Sequence, residues 1–61
     1  MTTVLDLLQK ELEEVIEAHA DFVAMGHAKD YAEYRHNAGV IIGLTSALER
    51  VKDLQRYQEE N

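Results

Sequence analysis

Apolar side chains at Leu5, Leu8, Leu12, Val15 and Phe22, with His19 in line between the last two, recur at spacings of three and four, and Val4, Ile16 and Val23 widen the stripe. That spacing is the period of one face of an α-helix. Thr3 stands before the stripe with Asp6 three residues on, an N-cap followed by an acidic first turn. Gly26 follows the last apolar turn, where a helix end takes a left-handed residue. The pattern predicts a first helix over about 4–25 and a turn at about 26–28. It restarts near Lys29-Asp30 and runs through Tyr34, Asn37, Ile41, Leu44, Leu48 and Val51 to a polar end, Gln58-Glu59-Glu60-Asn61. A second helix over about 29–58 is expected, antiparallel to the first because the turn is short.

One domain, 1–61, is therefore predicted, all-α, an antiparallel two-helix hairpin. At 1.5 Å per residue the second helix is roughly 45 Å long against roughly 33 Å for the first. Leu54 and Tyr57 are expected on the overhang, where a second chain would have to meet them. Within helix two, Gly39 and Gly43 each cost about 1 kcal/mol relative to alanine. With Ala47 they form a row of small residues, which predicts close approach of another helix, or else a break near Gly39. Val40, Ile41, Leu44, Ala47, Leu48 and Val51 face one way, while Ile42 and Thr45 fall well round the other side. A helix apolar around most of its girth needs more than one covering neighbour. Self-association through Gly39, Val40, Gly43, Leu44, Ala47, Leu48, Val51, Leu54 and Tyr57 is expected, completing a helical bundle as a homo-oligomer.

Composition narrows the function classes. The 61 residues include 12 Asp+Glu against 6 Lys+Arg, a formal charge of −6, and no cysteine or proline. Disulfides and thiolate metal sites are excluded, and a chain this short leans on partners for stability. The longest uncharged run, His36 to Leu48, has 13 residues, too few for a membrane span of about 20. The start Met1-Thr2-Thr3 has no basic region with an apolar run after it, so no secretory signal is expected and a cytoplasmic location is the default. Basic residues form no dense patch, which argues against nucleic-acid binding. Helix one carries Asp6, Glu11, Glu13, Glu14, Glu17 and Asp21 against Lys10 alone. That acidic face is a solvated surface or a contact for a basic partner.

Catalytic chemistry has little footing. A single serine, Ser46, lies in the uncharged stretch, and no glycine-rich loop is present. Glu33 and His36 form a Glu-x-x-His step, the spacing that di-iron carboxylate bundles use. His19 of helix one is expected level with Glu33. These three residues make a structural polar pair, His19 with Glu33, or a metal site assembled in a dimer with Glu14 or Glu17 nearby, or else are unconnected. His27 is expected exposed or capping in the turn, Asn37 as a register-setting residue in the seam, and Tyr31 and Tyr34 as caps on the end of the core. No cofactor and no enzymatic activity are expected.

The run Asp30-Tyr31-Ala32-Glu33-Tyr34-Arg35, followed by Gly39-Val40-Ile41-Ile42-Gly43-Leu44 and an amphipathic tail, resembles small helical-hairpin proteins encoded by tailed bacteriophages. The resemblance covers the second half of the chain. It implies a virion or assembly component, or a small protein that binds a host factor, located in the host cytoplasm or the virion. Three functions are thus expected in order: a non-enzymatic, self-associating structural or interaction protein; an acidic inhibitor or adaptor that binds a host protein; and a metal-binding four-helix dimer.

Overall fold

The computed structural model describes residues 2–60, Glu60 by its backbone only, so that Met1 and Asn61, the ends of the expected domain, lie outside the described residues. Two helices, α1 (Val4–Ala24) and α2 (Tyr31–Glu60), form an antiparallel hairpin of 47 × 18 × 12 Å. The all-α hairpin is the fold that the periodicity predicts.

Local chemistry sets the helix ends. Thr3 Oγ1 accepts from the Asp6 N–H, and Asp6 Oδ2 accepts from the Thr3 N–H, both at 3.1 Å. This reciprocal box satisfies two donors left open at a helix start. At the other end of α1, Gly26 has φ of 74°. Its N–H donates to the Val23 carbonyl at 3.0 Å and the His27 N–H to Phe22 at 3.1 Å, closing the last turn in the way a left-handed C′ residue allows. The exposed His27 ring lies 5.7 Å from the Phe22 ring, so the turn is also held by a side-chain contact.

Helix α2 begins two residues later than the pattern suggests. Asp30 is its N-cap: Oδ1 accepts from the Glu33 N–H at 2.8 Å, and the Asp30 carbonyl takes the Tyr34 N–H at 3.0 Å. The connection is therefore longer than a three-residue turn. From Tyr31 the helix runs unbroken through Gly39 and Gly43, so the expected alternative of a break near Gly39 does not occur.

Two cross-helix bonds fix the register, Gln55 Nε2 to Asp6 Oδ1 at 2.9 Å and His19 Nδ1 to Asn37 Oδ1 at 3.1 Å. With Asp6 level with Gln55, Leu54 is not on an overhang, which corrects that expectation. Leu54 is 54% exposed because it faces away from the seam, not because α1 has run out.

The core is thin. Leu48 at 8% and Val51 at 6% exposure are the buried apolar side chains among the described residues. Around them Leu5, Leu12, Ile16 and Val23 of α1 and Val40, Ile41 and Leu44 of α2 are half-buried. Leu8 and Val15, members of the same sequence stripe, stay exposed with Val4 and Leu7. At about 100° per residue the apolar arc of α1 covers roughly half its circumference, and one neighbouring helix covers only part of that.

Candidate interaction surface

The polar pair in the seam is built differently from the one expected. Asn37 is buried, and its Nδ2 donates to the Glu33 carbonyl at 2.9 Å. That leaves Oδ1 to accept, so His19 meets it with Nδ1 protonated. Glu33 thus joins through its main chain, and the partner of His19 lies one helical turn further along α2. The cause is the length of the connection, which slides α2 along α1 relative to a tighter turn. No buried side-chain polar atom among the described residues lacks a partner.

His36 points away from this pair and is exposed. Among the described residues, no group of three or more His, Asp or Glu side chains is gathered closely enough to hold a metal ion. Within one hairpin, then, His19, Glu33 and His36 do not converge. The arrangement offers hydrogen bonding and register.

The expected association residues divide into two groups. Leu48 and Val51 are buried and Leu44 half-buried against α1, so they are already spent on the hairpin. Gly39, Gly43, Ala47, Leu54 and Tyr57 are exposed, with Val40 half-buried at the boundary. A Cβ built on either Gly39 or Gly43 meets nothing within 4 Å. The hairpin itself therefore gains nothing from these glycines, and their helix cost is not offset within the chain.

The expected association residues lie on α2 alone, whereas exposed apolar side chains lie on both helices. Because the helices run antiparallel, the flank of α1 bearing Leu8, Val15 and Phe22 turns to the same side as the flank of α2 bearing Val40, Gly43, Ala47 and Leu54. A shallow groove of about 270 Å³ lined by Ala18, His19, Phe22 and Asn37 opens on that side. The opposite side is polar, with Asp6, Gln9, Glu49, Lys52 and Arg56 around a wider depression. The missed signal was the width of the stripe on α1, which exceeds what one helix can cover.

Electrostatics on the rest of the surface are those of a solvated exterior. Glu13, Glu17 and Asp21 lie exposed on the side of α1 turned from α2. Arg56 pairs with Asp53 one turn earlier on α2, an exposed contact of little energetic weight. Asp6 is held below its ordinary carboxylate range, by the Thr3 backbone N–H first, opposed by desolvation and helped further by the Thr3 hydroxyl and Gln55. Tyr31 and Tyr34 stack on each other, 6.3 Å between rings, and stay exposed instead of capping the core. No helix among the described residues is long and apolar enough to cross a membrane.

No protein-family model, no curated protein and no solved structure matches the chain.

Proposed function

We propose that the protein is a non-enzymatic interaction protein that works by helix-mediated self-association, a small building element of a larger protein assembly such as the phage-encoded hairpins it resembles. One observation carries this reading. Two apolar side chains are buried among the described residues, while ten large hydrophobic ones are exposed. Some of those exposed side chains, such as Ile42, are isolated, as surface apolar residues commonly are. Leu8, Val15 and Leu54 instead share one side of the hairpin, and an extended apolar patch on a soluble chain marks an interaction site.

The chemistry present suits binding and not turnover. Histidine and carboxylate groups are either exposed or engaged in capping and register, so a surface is the functional element.

Light scattering across a wide concentration range tests the reading, with metal content determined on the same sample. The expected mass is a multiple of 7.0 kDa, with no metal in fixed ratio. A folded monomer at every concentration overturns self-association. Stoichiometric metal that is lost in His36→Ala would replace it with a metal-binding bundle.

A further inference from the structure

We infer that a second copy of this chain covers the side formed by Leu8, Val15, Gly43 and Leu54, with α1 of each copy lying over α2 of the other. The inference rests on the self-association reading and adds to it the face, the contribution of α1 and the orientation.

Area argues for a partner of this size. The chain exposes 4905 Å², whereas a compact monomer of 7.0 kDa exposes about 4000 Å². The excess, about 900 Å², is close to one partner's share of a standard interface, about 800 Å². A layer 12 Å thick is a single layer of helices, and stacking a second such layer on it makes a four-helix bundle with an interior.

Charge selects the orientation. Beside the apolar side, the outer shoulder of α1 carries Glu11 and Glu14, and the outer shoulder of α2 carries Arg50. A two-fold axis parallel to the helices lays α1 over the α2 of the second copy. The register set by Asp6 with Gln55 and His19 with Asn37 then puts Glu11 near the level of Arg50 in the other copy. Turning the second copy end over end would set Glu11 and Glu14 against α1 of that copy, and like charges at an interface are costly. In the favoured arrangement Leu54 comes level with Val4 and Leu7, all exposed in the single hairpin. Gly43 has open space above it, so a second backbone can approach it closely.

Sedimentation equilibrium of the full chain and three single variants tests the face. Val15→Glu and Leu54→Glu should each weaken association on the order of 100-fold, since each places a charge in a desolvated apolar contact. Ile42→Glu, on the far side, should leave it unchanged. An oligomer that ignores both Val15→Glu and Leu54→Glu overturns the face while self-association stands. A parent chain that is monomeric throughout overturns both.

A cross-link tests orientation without depending on stability, because the chain has no cysteine of its own. The double variant Glu11→Cys with Arg50→Cys should give a covalent dimer on mild oxidation, and each single variant should not. A covalent dimer from Glu11→Cys alone, at the rate of the double variant, places α1 over α1 and overturns the orientation.

Discussion

The seam between the two helices is built differently at its two ends. Towards the chain termini it is apolar, with Leu48 and Val51 buried on α2 and Leu5 and Leu12 half-buried on α1. Towards the turn it is polar, with His19 bonded to a buried Asn37 that also holds the Glu33 carbonyl. Apolar burial is non-directional and would tolerate a slide of one helix along the other. A hydrogen-bonded pair is directional, and a slip leaves both members unsatisfied. The apolar end therefore carries most of the stabilisation, and the polar end decides which of several similar registers is occupied.

Breaking the apolar end should have the largest effect. Leu48→Asp places a carboxylate among the few buried apolar side chains and should cost about 3 kcal/mol or more. A thermal melt followed by circular dichroism would show the helix signal at 25 °C largely lost. Thr45→Asp, exposed one turn earlier on the far side, should leave the melt nearly in place, and equal losses in the two variants would mean that the seam does not run where Leu48 puts it.

Next in size is the polar end. Asn37→Ala leaves His19 without its partner and should cost about 1–2 kcal/mol, read as a lower urea midpoint. Replacing both members, His19→Leu with Asn37→Leu, removes the unsatisfied groups and should restore or raise stability while loosening register. Broader amide resonances around Leu44 in the double variant would report that slip. A double variant as well ordered as the parent would remove the register role.

Gly26 comes third. At φ of 74° a side chain is strained whatever the space around it, so Gly26→Ala should cost about 1 kcal/mol. The opposite result is expected at Gly39. An alanine there meets nothing within 4 Å and should raise the helix content of the isolated hairpin.

These differences show what could be read in the sequence. The helical period, the Thr3 box and the Gly26 end were legible because each depends on residues within a turn of one another. Asp30 carried an equally local signal, since Glu33 stands three residues on, yet the restart of the apolar pattern drew the boundary earlier. That two-residue difference changed the register, and with it the partner of His19 and the level of Leu54. Register depends on where both helices start and on which long-range pair closes, and no window of sequence contains that. The choice between Leu12 and Leu8 as the buried line of α1 was equally hidden. Both lie in one apolar arc, and only the position of α2 decides between them.

The smallest expected effect concerns the open end, where Asp6 accepts from Thr3 and from Gln55 at once. Those bonds favour its charged form, so its folded pKa lies below the ordinary 3.8. A carboxylate with a depressed folded pKa stabilises fully above its unfolded value, and that contribution is lost as pH falls through the folded one. As pH falls from 5.5 through 3.8 and below, the parent should progressively lose this part, while Asp6→Asn has lost it throughout. The diagnostic is therefore the gap in Tm between parent and Asp6→Asn, which should narrow as pH falls. A gap that stays constant across that range would mean that the charge of Asp6 contributes nothing, and that the open end is held by the neutral hydrogen bonds alone.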